Sequence, residues 1–103
     1  MVPQTLQDKA TATGVGQTAS TGGKTKHMIE VIVTGTGAVS VTVEPRWSIV
    51  KNAGGGNLIS SAQTVSGTDR ASQTFTAEGA AEYISCPITA LIGTSCTVTY
   101  KGA

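Results

Sequence analysis

The chain has 103 residues and a formal net charge of +1, and 13% of its residues are charged while 4% are aromatic. This length allows a single domain. The near-neutral charge excludes the electrostatic footprint of a non-specific nucleic-acid binder. No apolar run approaches the roughly 20 residues of a membrane-spanning helix, so we expect no membrane partner. The first segment lacks the apolar core of a secretory signal, and we expect no export.

Hydroxyl side chains dominate the composition, because 17 threonines and nine serines make up about a quarter of the chain. There are also 13 glycines. Thr is common in strands and Gly is common in turns. The composition therefore predicts a small β domain with a thin core, and it indicates no particular chemistry.

The N-terminal segment, residues 1–26, is polar, and Leu6 and Val15 are two of its few sizeable apolar side chains. A Gly-Val-Gly run at 14–16 is typical of a turn between two short strands. We therefore divide the chain into a polar N-terminal arm with such strands, residues 1–26, and a β-sandwich domain, residues 27–103. Because the arm has little apolar surface to bury, we expect neighbouring subunits to hold it.

The strongest pattern is an alternation of β-branched residues on both sides of a Gly-Thr-Gly run at 35–37. A three-residue hairpin loop needs a residue at positive φ, which Gly37 supplies without steric cost. We therefore predict a β-hairpin with its turn at 35–37 and six apolar side chains on one buried face. These are Ile29, Val31, Val33, Val39, Val41 and Val43.

The remainder of the chain predicts further strands. Pro45 ends the second strand of the hairpin, since proline cannot donate to a sheet ladder. Short strands are expected at 46–50, 58–65 and 71–77, a loop at 52–57, and a second hairpin that joins 83–91 to 95–101 around Gly93 and Thr94. Six to eight short strands without helical periodicity predict an all-β fold, a single antiparallel β-sandwich.

The two cysteines, Cys86 and Cys96, lie four residues apart along the sheet in the register of that second hairpin, roughly 13 Å. A disulfide requires Cα atoms within about 7 Å. We therefore expect two buried free thiols. Two cysteines and one histidine fall short of a four-ligand zinc site, and we expect no metal and no cofactor.

His27 is the sole histidine, and no neighbouring acid or nucleophile pattern accompanies it. We interpret it as a solvated residue at the entrance of a strand, because a catalytic base needs such a partner. The sequence contains no Gly-x-Ser-x-Gly nucleophile elbow. Its glycine-rich stretches lack the Gly-Lys-Ser/Thr of a phosphate loop. We therefore predict no catalytic residue and no enzyme.

Trp47 has two interpretations. It fills the core of a sandwich that is short of bulky side chains, or it belongs to an interaction surface together with Arg46, because Trp and Arg are favoured at interfaces. In a carbohydrate-binding module, Trp47 and Tyr83 would act as stacking groups. The candidate interface residues are Leu6, Val15, Arg46 and Trp47.

Three stretches of the sequence resemble small structural proteins of tailed bacteriophages. They are ATATGVGQTA at 10–19, VIVTGTGAVSVTV at 31–43 and EYISCPITALIGTSCTVTY at 82–100. In those proteins an aromatic-led strand, a Gly-Thr turn and an alternating Thr/Val strand close a β-sandwich. This chain departs from the pattern in carrying Cys86, Pro87 and Cys96.

The resemblance implies a virion component without enzymatic activity, assembled in the host cytoplasm. The function it favours is capsid decoration or cement, in which the protein binds the assembled coat lattice through the major capsid protein or other virion proteins. A homo-oligomer is expected, and a trimer would suit the symmetry axes of such a lattice. The alternatives are a tail, fibre or head–tail component, or a receptor- or carbohydrate-binding module.

Overall fold

A computed structural model of the protein describes residues 2–51 and 55–103. Within these residues the regular secondary structure consists of nine strands and no helix. Residues 52–54 of the predicted loop and the first residue of the predicted arm lie outside the described residues. The strands are β1 (Gln4–Ala10), β2 (Thr18–Ser20), β3 (Lys26–Val43), β4 (Arg46–Ser48), β5 (Asn57–Leu58), β6 (Gln63–Glu78), β7 (Tyr83–Ser85), β8 (Ile88–Ile92) and β9 (Ser95–Gly102).

The strands form two antiparallel sheets that enclose one core. In the large sheet β1, β9, β3 and β6 lie side by side, and β8 also pairs with β3. The small sheet has the order β2-β7-β4-β5. This confirms the predicted all-β sandwich, although two strands are long rather than short: β3 has 18 residues and β6 has 16.

The predicted first hairpin is wrong, because β3 runs through the Gly-Thr-Gly run as one strand. It pairs with β6 from Lys26 opposite Glu78 to Val43 opposite Gln63, with a register shift between Thr34 and Ala38. Gly37 has a φ of 81° at this shift. The six apolar residues are nevertheless all buried. All six have odd residue numbers, and alternate residues of a strand share a face. A single long strand therefore buries the same six side chains that a hairpin would bury.

The predicted second hairpin is also wrong, because β8 and β9 pair with β3 instead of with each other. Leu91 of β8 lies opposite Val41, and Val98 of β9 lies opposite Val31. The two strands therefore follow one another along β3 in the same direction. The predicted strand at 71–77 and the last three residues of the predicted strand at 58–65 belong to one strand, β6, whereas residues 59–62 are not in a strand.

The core lies between the inward faces of the two sheets. Its largest fully buried side chains include Tyr100, Leu6, Ile29 and Ile84. Trp47 is half-buried and packs against this cluster, in agreement with the core interpretation.

The N-terminal segment contributes a strand to each sheet. β1 pairs with β9 in the large sheet, and β2 pairs with β7 in the small one. Leu6 and Ala19 have 0% and 1% of their surface exposed. The sandwich of the same chain therefore holds this segment through β9 and β7.

Candidate assembly surface

The interpretation of His27 as a solvated residue is wrong, because its side chain is fully buried. Its Nδ1 lies 2.7 Å from the Tyr100 hydroxyl, and its Nε2 lies 2.9 Å from the carbonyl oxygen of Gly79. A carbonyl only accepts, so Nε2 donates to Gly79, and in the tautomer with its proton on Nε2 the Nδ1 atom accepts from the Tyr100 hydroxyl. Both ring nitrogens therefore have hydrogen-bond partners, and the ring has no access to solvent.

Within residues 2–51 and 55–103, no group of three or more His, Cys, Asp or Glu side chains could hold a metal ion. No helix among them is long and apolar enough to cross a membrane. A shallow depression of about 210 Å³ lies on the outer face of the large sheet. Its lining residues are Pro3, Met28, Glu30, Thr74, Thr99 and Lys101.

Both cysteines are buried free thiols, as predicted. The register argument that led to this prediction does not hold, because β8 and β9 do not form a hairpin. Burial raises the pKa of Cys86 to about 12, with a further contribution from the nearby Cys96. Burial also raises the pKa of Cys96 to about 11. Both side chains are therefore protonated and weakly nucleophilic at neutral pH.

The side chain of Arg46 in β4 binds two neighbouring groups. Its guanidinium donates to Glu44 Oε1 at 2.9 Å and to the carbonyl oxygen of Gly56 at 3.0 Å. The side chain of Arg46 retains 25% exposure. Because the group is held at two points, its orientation is fixed, and the Glu44 carboxylate balances its charge.

The antiparallel strands β4 and β5, with the described residues 49–51 and 55–56 beside them, are named the β4–β5 hairpin. Ile49, Val50 and Leu58 on this hairpin are 73%, 60% and 47% exposed. A β-carbon added at Gly56, whose φ is 79°, would lie 2.0 Å from the carbonyl oxygen of Trp47, so glycine is required here. The described residues of the hairpin therefore present apolar side chains to solvent, and the backbone at Gly56 packs closely against Trp47.

Trp47 and Tyr83 do not form a joint stacking platform. Trp47 lies opposite Ile84, which is fully buried, so the indole lies on the inner face of the small sheet. Tyr83 lies opposite Ser48, and successive residues of a strand point to opposite faces. The two rings therefore lie on opposite sides of the sheet, and a sugar could not contact both.

The four candidate interface residues are thus scattered. Leu6 lies in the core and is unavailable to a partner, Val15 is 53% exposed, and Arg46 and Trp47 are partly buried in the small sheet. The structure brings together only Arg46 and Trp47, which are neighbours in β4. The exposed residues Ile49, Val50 and Leu58 were not singled out by the sequence, because short apolar stretches are equally typical of buried strands.

The outer face of the large sheet is a second broad surface, rich in hydroxyl groups. Thr74 on β6 lies opposite Glu30, and Thr99 on β9 lies opposite the same residue. Their rows continue with Ser72, Thr76, Thr97 and Ser95, which share this face by strand alternation. By the same alternation the face also carries charged side chains, which are Lys26, Glu30, Arg70, Glu78 and Lys101.

No protein-family model matches the chain, and no curated protein matches its sequence. Among solved structures, the crystal structure of the SPBc2 prophage-derived protein YomS is similar, with a TM-score of 0.57 and 12% sequence identity. The similarity covers 97% of this chain and 93% of that chain. At this level of identity it shows a common fold, so this chain has the fold of a prophage-derived protein over nearly its whole length.

Proposed function

We propose that the protein is a non-enzymatic structural component of a bacteriophage virion that decorates the assembled capsid. The observation that carries the proposal is the common fold with the prophage-derived protein YomS over nearly the full length of both chains. The Thr- and Gly-rich sequence, which resembles small structural proteins of tailed phages, points in the same direction.

The β4–β5 hairpin supplies a contact surface for this role. Its exposed side chains Ile49, Val50 and Leu58 gain stabilisation when they are removed from water. The Arg46 guanidinium beside them is held in place by Glu44 and fixes the orientation of the contact. The partner in this proposal is the major capsid protein, bound where neighbouring coat subunits meet.

Binding of this kind stabilises a particle by mass action. A protein that binds the assembled lattice and not its separated subunits lowers the free energy of the assembled state by RT ln(1 + [L]/Kd). The decorated particle then resists heat better than the bare one. This role requires no catalytic group.

The experiment compares particles of the encoding phage with and without this gene. We expect the chain on the outer surface of the capsid in electron cryomicroscopy, and we expect gene-deleted particles to release DNA at a lower temperature. Purified protein added back should restore the release temperature. Absence of the chain from purified particles would overturn the virion role, and density confined to the tail would overturn decoration in favour of a tail or fibre component.

Variants test the contact surface separately. Replacing Ile49 and Val50 by Ser should weaken binding to deleted particles by about tenfold or more, because apolar area is lost from the contact. Val2→Ser is the matched control, since Val2 is 79% exposed and lies far from the hairpin in the sequence. Equal binding by both variants would place the contact elsewhere on the molecule.

A further inference from the structure

The longest free edge of the molecule belongs to β6. This 16-residue strand pairs with β3 on one side, and no described strand pairs with its other side. From Arg70 to Glu78 its register with β3 is regular. A regular free edge presents a row of unpaired N–H and C=O groups and is a template for another strand.

The other edge strands among the described residues are short or irregular, and β8, whose only strand partner is β3, has five residues. β1 has two register shifts and a positive φ at Lys9, which interrupt its outer row of backbone groups. The edge strands of the small sheet, β2 and β5, have only three and two residues. By contrast, residues 71–77 of β6 include no charged residue and no proline. From Ala71 to Ala77 the edge of β6 therefore lacks the usual devices that prevent pairing, because its register shift and the positive φ at Asp69 lie before this stretch.

Two charges of opposite sign stand at the ends of this uncharged stretch. Arg70 and Glu78 are both exposed, and they lie on the same face of the strand because they are eight residues apart. The one ion pair found among the described residues joins Arg46 and Glu44, so neither Arg70 nor Glu78 takes part in one. Midway between them lies Thr74.

We propose that β6 pairs with β6 of a second copy of this chain, antiparallel and about a two-fold axis at Thr74. In this register Arg70 of each copy lies directly opposite Glu78 of the other, which gives two symmetric ion pairs. Thr74 lies opposite Thr74, and Ala71 lies opposite Ala77. The large sheets of the two copies then form one continuous sheet.

Symmetry and charge select this register. A two-fold axis perpendicular to a sheet keeps each face on its own side, so every residue must oppose one an even number of positions away. Centring the axis at Thr74 meets this condition and pairs opposite charges. Centring it at Arg70 would place two guanidinium groups against each other, which is destabilising. The net charge of +1 leaves little long-range repulsion between the copies.

The first test measures the molar mass of the full chain by light scattering during size-exclusion chromatography. We expect twice the mass of one chain. Arg70→Glu and Glu78→Arg should each weaken the dimer by about tenfold or more, because each creates two pairs of like charges. The double variant R70E/E78R should restore the dimer, since it exchanges the charges and recovers both pairs. Circular dichroism of the single variants checks that they remain folded.

The second test is a cross-link at the axis. Cysteines in place of Thr74 would have Cα atoms about 4.5–5.5 Å apart, within the range of a disulfide. Ser72→Cys is the matched control on the same face, because its two copies would lie about 13 Å apart. We expect a disulfide-linked dimer for T74C under mild oxidation and none for S72C or for the wild type, whose thiols are buried.

The outcomes decide the proposal. A monomer or a trimer in solution would overturn it. A dimer that withstands both charge reversals, or that cross-links at Ser72→Cys in place of Thr74→Cys, would overturn the β6 register. These results do not depend on whether the protein decorates capsids, since the experiments use the purified chain alone.

Discussion

His27 and Tyr100 form a buried polar pair on the two central strands of the large sheet. The rings are stacked with centroids 5.7 Å apart, and the hydroxyl lies 2.7 Å from Nδ1. Burial raises the pKa of Tyr100, so the phenol keeps the proton that it donates. The pair satisfies two polar groups that would otherwise be costly inside so small a core.

Tyr100→Phe should therefore destabilise the protein by about 1–3 kcal/mol, because Nδ1 of His27 is left buried without a donor. The measurement is urea unfolding followed by the fluorescence of Trp47. Tyr83→Phe is the control, since Tyr83 is half-buried and forms no side-chain hydrogen bond among the described residues. Equal stability of Y100F and the wild type would show that the hydrogen bond contributes nothing.

The burial of His27 could have been predicted from the sequence. The residue continues the alternation of Ile29, Val31 and Val33 toward the N-terminus, and all four side chains are fully buried. The neighbouring residues Lys24 and Lys26 favoured a solvated interpretation instead. Alternation was the better guide, because the face of a strand is set by its pleat and not by the charge of adjacent residues.

Strand pairing was less predictable than strand faces. The alternation identified the buried residues of β3 correctly, yet nothing in it distinguishes a hairpin from a long strand. The difference lies with β6, whose Asp69 accepts a hydrogen bond from the Gly37 N–H at 2.7 Å. That contact joins residues 32 positions apart. Partners this distant cannot be found from local turn signals, which favoured a reversal at the glycine run.

The candidate surface was predicted only in part for a related reason. Arg46 and Trp47 were singled out by residue type, and they do lie together in β4. Leu6 was assigned to a surface because its neighbours in the sequence are polar and gave no sign of β1, the strand that places Leu6 in the core. Burial of one apolar residue in a polar segment depends on the sheet it joins, and β9 follows about 90 residues later in the sequence.

Leu6→Ala tests whether the N-terminal segment belongs to the core. Leu6 is fully buried, so its truncation should cost about 2–5 kcal/mol of unfolding free energy. Val2→Ala, at a residue 79% exposed, should change stability by less than about 0.5 kcal/mol. Thermal unfolding of both variants gives the comparison. A small effect at Leu6 would mean that the segment is attached only loosely in solution.

Gly16→Ala tests the contact between Gly16 and strand β1 in the N-terminal segment. Gly16 has a φ of 67°, and an added β-carbon would lie 2.4 Å from both the carbonyl oxygen of Leu6 and Nε2 of Gln7. Gly22→Ala is the matched control, because Gly22 has a φ of 61° and no atom within 4 Å of such a carbon. Both variants bear the left-handed strain of about 1–2 kcal/mol.

Only Gly16→Ala also requires the backbone at Leu6 to move, and we expect it to be less stable than Gly22→Ala by about 1–3 kcal/mol. Chemical denaturation of the two variants measures the difference. Equal destabilisation of the two variants would contradict this expectation. It would mean that the backbone at Leu6 moves without loss of stability, although β1 is paired in the sheet.

The raised pKa values of the two thiols predict a loss of stability at high pH. In the unfolded chain both thiols ionise near their ordinary value of 9.0, whereas in the folded protein Cys86 and Cys96 ionise near 12 and 11. Between these values the folded state binds more protons than the unfolded state. Stability is therefore fully present below about pH 9 and falls as the pH rises toward 11.

Each thiol contributes a slope of at most about 1.4 kcal/mol per pH unit in this window. The measurement is the unfolding free energy from pH 7 to 11 for the wild type and for the C86A/C96A variant. Lysines and tyrosines titrate in both proteins, so the difference between the two slopes isolates the thiols. We expect the wild type to lose stability more steeply above pH 9 than the variant. Parallel curves would show that the thiols are already accessible to solvent in the folded protein.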